Sequence, residues 1–316
     1  MNDQSTSRFI LYIGALTAVT FIIGLILYLS GFNLFFNYLF MDNDIIFTIF
    51  RGITELGDTL VYLLVIVVAW YIYDKRFAKN LAINLLSSYY FNNIVKDIFR
   101  DPRPPTNIKV GAGGFGFPSG HSQNGAAAWG YLAYEAYRKK NKILFWVFLI
   151  LIYFIAGSRL IIGVHDLQDV WGGLTLGFIW LILFILIEPK ISEIIGRLSF
   201  IIKAILAIVL PLVLFIVALL VFPSSLADYG LISGGLMGLS LGYVIETKWI
   251  KYEPRELTTK YRILNLIIGL IITLILYFGL SLLFPESPIM DLLQYFILSL
   301  LLVTLVPWIF TKIDRK

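Results

Sequence analysis

Apolar and polar positions along this chain separate into long hydrophobic runs and short, dense polar clusters. Ten runs approach the roughly 20 residues a helix needs to cross the hydrocarbon core of a bilayer. They lie near residues 9–30, 58–74, 77–95, 121–137, 143–162, 169–187, 199–222, 229–246, 263–284 and 290–311. The pattern predicts an all-α, polytopic membrane helical bundle. The stretch from Phe32 to Phe50 is also apolar, but Asn37, Asp42, Asn43 and Asp44 interrupt it, which predicts an interfacial or re-entrant segment. The first run is long and lacks a clear small-residue cleavage site, so a retained span is expected rather than a signal peptide.

Composition agrees with a membrane setting: 59% of residues are hydrophobic and 14% charged, against roughly 25% charged in soluble proteins. The absence of cysteine excludes disulfides and thiolate metal sites. Two histidines are too few for a histidine-rich cage, and no carboxylates show the spacing of a magnesium or calcium site. No metal or other cofactor is therefore expected. The net charge of +5 says little about partners, and no nucleic-acid partner is expected.

The cations report topology instead. Threaded through ten spans, 19 of the 25 Lys and Arg residues fall on one side, in the groups around Arg8, Lys75, Arg138, Lys190, Lys248 and Lys312. The other side holds Arg51, Lys96, Arg100, Arg103, Lys109 and Arg159. The positive-inside rule then predicts cytoplasmic termini and an outward position for the minority set. Half of that set belongs to polar clusters, and an anionic ligand would explain why cations stand there against the bias.

Three clusters carry the candidate chemistry. Lys96 through Pro105 ends in prolines that break the helix and stiffen its exit, holding Lys96 and Arg103 near the interface. Ordinary cations snorkelling to lipid headgroups would look the same. Next, Gly111, Gly113, Gly114 and Gly116 lead to Pro118, Ser119, Gly120 and His121 just before an apolar helix. Ser119 is a candidate N-cap, and free N–H groups at such a helix start bind phosphate oxygens. A plain capping turn with a bystander histidine is the alternative. Finally, Ser158 and Arg159 end one span, and His165 and Asp169 open the next. The four-residue step puts the carboxylate on the imidazole's helical face, where it can fix the tautomer. A satisfied buried pair would share this spacing, but intramembrane ionisable groups are functional by default.

Together the clusters read KxxxxxxRP from Lys96 to Pro104, PSGH from Pro118 to His121, and SRxxxxxHxxxD from Ser158 to Asp169. In this the chain resembles the type 2 phosphatidic acid phosphatase superfamily of membrane lipid phosphatases, with every signature position occupied. The resemblance covers roughly residues 1–190 and implies a six-helix phosphatase core. It leaves 191–316 as an extension of about four further transmembrane helices of unknown role. It implies that His165 attacks phosphorus, Asp169 orients it and His121 protonates the leaving oxygen. Lys96, Arg103, Arg159, Ser119 and the Gly120 N–H would hold the non-bridging oxygens. Such convergence of cations and N–H donors is what phosphoryl transfer requires, without a metal.

The expected function is an integral membrane phosphatase of a lipid phosphate or polyprenyl diphosphate, working through phosphohistidine at the outer face of the cell membrane. A phosphatase of small soluble esters such as a sugar phosphate, or a noncatalytic lipid-phosphate binder or transporter, are the alternatives. Expected partners are the lipid substrate and the bilayer. Gly230, Gly234, Gly235, Gly238 and Gly242 would permit close helix packing, internally or in a homodimer. Glu55 and Asp58 read as solvated loop charges, with lining of the cavity mouth as the alternative, and the seven tryptophans as interfacial belts.

Overall fold

The computed structural model describes residues 4–31, 40, 42–225 and 227–313. Among these the regular structure is helical throughout, and every predicted apolar run coincides with a helix. The helices are α1 (Gln4–Leu29), α2 (Asp44–Glu55), α3 (Thr59–Val68, prolonged by a π turn, Ala69–Tyr73) and α4 (Lys75–Phe99). They continue as α5 (Gly120–Arg138), α6 (Lys142–Ile161), α7 (Leu167–Gly196), α8 (Phe200–Val221) and α9 (Tyr229–Ile245). The last are α10 (Thr259–Leu283), α11 (Pro288–Val303) and α12 (Leu305–Ile313), the final predicted run being broken at Thr304.

Six helices, counting Pro288–Ile313 as one, are long and apolar enough by themselves to cross a membrane. A seventh span results if α2 and α3, bent by 44° at their break, are counted together. This differs from the ten expected spans for a physical reason. α4 buries Asn80, Asn84, Ser88, Asn92, Asn93 and Asp97, and α5 buries Ser122, Gln123 and Asn124, so both face protein with polar stripes rather than lipid with apolar ones. α9 runs 17 residues before passing into a π turn, Glu246–Ile250.

Of the segment expected to be interfacial or re-entrant, residues 32–39 and 41 lie outside the described residues. The rest enters α2, started by Asn43, whose Oδ1 accepts from the N–H groups of Ile45 and Ile46 at 3.1 Å each. The tryptophans divide: Trp146, Trp249 and Trp308 are exposed as an interfacial belt requires, whereas Trp70 and Trp129 are buried core residues.

The chain forms two compact units, one of Met1–Tyr62 with Ser87–Glu188 and one of Leu63–Leu86 with Pro189–Lys316. In the first, Phe9, Ile152, Ile155, Phe178 and Leu181 make a dry core around α5. Gly173 on α7 lets that helix lie directly on the start of α5, since a Cβ there would stand 2.6 Å from Ser119 O. In the second unit Gly230, Gly234, Gly238 and Gly242 press against α11, so this glycine face is used for internal packing. There the buried Glu246 accepts from Lys75 Nζ at 3.1 Å and from the Tyr252 N–H at 2.8 Å.

Candidate active site

The three sequence clusters meet in the first unit. α4 ends with Lys96, whose Nζ donates to Phe115 O at 2.5 Å and Gly116 O at 3.3 Å. Arg103, carried on the proline-bounded exit, donates through Nε to Gly113 O (3.0 Å) and through Nη2 to the same carbonyl (2.6 Å). Its Nη1 donates to Val164 O (3.0 Å) and stands 3.1 Å from His165 Nε2. Both cations therefore hold the glycine loop, and Arg103 also reaches the histidine. They do not snorkel outward. The loop needs its glycine at Gly116, where a Cβ would come within 2.9 Å of Asp169 Oδ2.

His165 lies in the connection between α6 and α7. Its Nδ1 is 2.9 Å from Asp169 Oδ2. The carboxylate is itself fixed by a reciprocal cap: Asp166 Oδ1 accepts from the Asp169 N–H (3.2 Å), and Asp169 Oδ2 accepts from the Asp166 N–H (3.3 Å). The pairing assigns the proton to Nδ1 and leaves the Nε2 lone pair facing Arg103. Burial holds the His165 imidazole well below its ordinary range, and the positive charges of Arg103, Arg159, Lys96 and His121 act in the same direction. The ring is neutral, as a nucleophile or base must be.

Ser119 caps α5, its Oγ accepting from the Ser122 N–H at 3.4 Å, while its own N–H donates to Asp169 O at 2.9 Å. That bond ties the turn at the start of α5 to the His–Asp pair. The turn is held from α4 by Asn92, whose Nδ2 donates to Pro118 O (3.2 Å) and to Gln123 Oε1 (2.9 Å). Gly120 packs close beneath, with a Cβ at this position 3.3 Å from Asn92 Oδ1. The N–H groups of Gly120 and His121 belong to the first turn, where a helix leaves its donors unsatisfied.

Arg159 reaches the site from the end of α6 and is buried. Its Nη1 donates to Thr54 Oγ1 at 2.7 Å, and its Nε has no hydrogen-bond partner among the described residues. A buried guanidinium N–H left open is costly unless a ligand oxygen takes it. His121 Nε2 stands 3.0 Å from Asp58 Oδ1, within ion-pair range though out of line for a hydrogen bond. Asp58, its side chain 43% exposed, is thus partly solvated but paired with the site. Glu55, exposed and paired with Arg51 at 3.2 Å, is a solvated charge.

Every residue of the three sequence clusters expected to carry the chemistry lies in this neighbourhood. Thr54, Asn92, Gln123, Asp101 and Asp166 also lie here and were not expected from the sequence, and Asp58 takes its alternative place at the cavity mouth. The polar residues at four-residue steps along α4, ending in Lys96, were a visible signal for Asn92. Carboxylate oxygens of Asp101, Asp166 and Asp169 lie within 4.8 Å of one another and are, among the described residues, the group that could hold a cation. Burial pushes the Asp166 carboxyl up to about 6, with the Asp101 charge adding to it. No spacing in the sequence announced this cluster, because Asp101 comes from a different loop.

Chemically, the arrangement offers a neutral, carboxylate-oriented imidazole, a second histidine beside a carboxylate, and cations and helix-start N–H groups around them. The family model of the PAP2 superfamily matches residues 77–193, and that of the PAP2 superfamily phosphatase transmembrane extension matches residues 230–315. The chain is 30% identical over 150 residues to phosphatidylglycerophosphatase B of Bacillus subtilis (strain 168), covering 44% of this chain and 72% of that one. A crystal structure of a transmembrane PAP2-type phosphatidylglycerolphosphate phosphatase from Bacillus subtilis aligns with a TM-score of 0.46 at 22% identity, over 60% of this chain and 98% of that one. The motif spacings, the match across the candidate site and the match to a separate transmembrane extension agree: this chain is an integral membrane phosphatase belonging to the PAP2 superfamily.

Proposed function

We propose that the chain hydrolyses a lipid phosphate or polyprenyl diphosphate through a phosphohistidine intermediate, at a site opening on the extracytoplasmic face. The observation that carries the reading is the chain of contacts from Arg103 to His165 Nε2 and from His165 Nδ1 to Asp169. In the first step Nε2 attacks phosphorus, the bond to the lipid oxygen breaks, and His121 gives that oxygen its proton. Arg103, Arg159, Ser119 and the Gly120 N–H stabilise the charge on the equatorial oxygens, while Lys96 keeps the loop in place. In the second step water, deprotonated by His121, attacks phosphorus and breaks the P–N bond, releasing inorganic phosphate and neutral His165. The similarity to phosphatidylglycerophosphatase B makes phosphatidylglycerol phosphate the first substrate to test.

The test is phosphate release by the purified full chain in detergent, from a panel of phosphatidylglycerol phosphate, phosphatidic acid, polyprenyl diphosphate and glucose 6-phosphate, with and without chelator. Turnover of a lipid substrate that persists in chelator, with an acid-labile phosphoenzyme lost in His165→Ala, is the expected result. Preference for the sugar phosphate, or no turnover at all, would replace the lipid phosphatase with one of the alternatives. Loss of activity on chelation would make the Asp101, Asp166 and Asp169 cluster part of the chemistry.

A further inference from the structure

A second basic cluster lies among residues that the phosphate chemistry does not use. Within the unit of Leu63–Leu86 and Pro189–Lys316, the start of α4, the end of α7, the first half of α8 and the end of α9 enclose an open groove of about 730 Å³. Arg76, Lys79, Lys203 and Lys248 line it, and no acidic side chain is among its described lining residues. Arg76 is exposed and makes no hydrogen bond or ion pair among the described residues. Lys248 Nζ sits 3.9 Å over the Phe200 ring, Lys203 Nζ donates to Gly196 O at 2.9 Å, and Lys79 Nζ donates to Ser192 Oγ at 3.4 Å.

From the cations of α4, α8 and the end of α9 the lining passes to hydrocarbon. On α8 it runs from Lys203 to Leu206, Leu210 and Leu214, which share one face at four-residue steps. That stripe is about 12 Å long at the helical rise per residue. A soluble anion would leave it bare, and a zwitterionic headgroup would bring its own ammonium up to four cations. All four belong to the lysine- and arginine-rich side of the sequence, where the positive-inside rule places the leaflet that carries anionic lipid.

We propose that this groove binds one anionic phospholipid of the bilayer, its phosphate among Arg76, Lys79, Lys203 and Lys248 and an acyl chain along Leu206, Leu210 and Leu214, at a site separate from His165. The lipid is a resident ligand here and is not turned over.

The test is native mass spectrometry of the full chain released from detergent after addition of dioleoyl phosphatidylglycerol or dioleoyl phosphatidylcholine. One phosphatidylglycerol should be retained at least tenfold more than phosphatidylcholine. Arg76→Gln with Lys248→Gln should weaken retention about thirtyfold, since each cation near an anionic surface contributes about fivefold. The Arg76→Lys and Lys248→Arg pair should keep the adduct, which separates lost charge from a damaged fold. The Gln pair should still hydrolyse p-nitrophenyl phosphate, whereas Arg103→Gln should slow hydrolysis about a hundredfold and keep the lipid. Glycerophosphoglycerol at millimolar concentration should not displace the lipid. Equal retention of the two phospholipids, an adduct that survives the Gln pair but is lost in Arg103→Gln, or displacement by the free headgroup would overturn the proposal.

Discussion

Arg103 Nη1 lies 3.1 Å from His165 Nε2, so the lone pair proposed to attack phosphorus is occupied by a donor until a phosphate oxygen draws the guanidinium away. In the proposed mechanism, arrival of the substrate would uncover the nucleophile and neutralise the cation in one event. The same proximity sets the pH behaviour. Attack requires neutral His165, and activity falls as pH drops through its pKa. Burial and the surrounding cations hold that pKa below 6.5, which places the acid limb of kcat/KM below that pH. Arg103→Gln removes one like charge, so the limb should move upward toward 6.5 while kcat/KM falls about a hundredfold from the lost donor. A pH–rate profile of both proteins checks the direction; a limb that stays in place or moves down would remove Arg103 from the electrostatics of His165. At this scale the sequence was most informative where chemistry is written in adjacent residues, as in Pro118–His121 or His165–Asp169. Thr54 was illegible and Asp58 legible only as an alternative, because their partners, Arg159 and His121, lie on other helices, and nothing in a loop charge or a threonine at a helix end tells which helix will pack there.

Helix starts and close approaches place these residues. The first turn of α5 is fixed on three sides, by Asn92 of α4, by the Asp169 carbonyl, and by the bare backbone of Gly173 on α7. A methyl group at position 173 would stand 2.6 Å from Ser119 O and 2.9 Å from Ser122 Cβ, and neither can yield without moving the turn. Gly173→Ala should therefore cost about 1–3 kcal/mol of stability, the usual range for overpacking. It should also lower kcat at least tenfold, because the Gly120 N–H shifts with the turn. A thermal melt alongside saturation kinetics tests this, and an alanine variant with both values unchanged would show that the approach is looser than drawn. The elements themselves were largely legible, since apolar runs of span length can do little but form helices. The polar burial of α4 and α5 was less so: both are long enough to span a membrane but not apolar enough, and the four-residue polar stripe of α4 shows that one face meets protein.

Every proposed catalytic residue lies within 1–190, and a phosphatase core ending there is the natural expectation from the motifs. The packing of the second unit argues that this segment does not fold alone. Residues 63–86 belong to the same compact unit as 189–316. Tyr71 is fully buried there, its ring 5.1 Å from that of Phe310, and its carbonyl accepts from Tyr252 Oη at 2.6 Å. Trp70 meets Tyr243 at 6.0 Å, and Lys75 pairs with Glu246 at 3.1 Å. Truncation after residue 190 removes all of these partners, exposing two large aromatic side chains and leaving Lys75 without its carboxylate. Removing one partner of a buried ion pair alone costs about 3–5 kcal/mol, a large share of what keeps a domain folded. The 1–190 fragment should accordingly fail to yield monodisperse protein in detergent and show no phosphate release. Coexpression with 191–316 as a separate chain should recover both, since the deleted contacts are noncovalent. Size-exclusion profiles and phosphatase assays of the two preparations decide it. A fragment that is monodisperse and active alone would make the extension an accessory to a self-sufficient core, whereas recovery only on coexpression makes it the partner without which 63–86 has nothing to fold against.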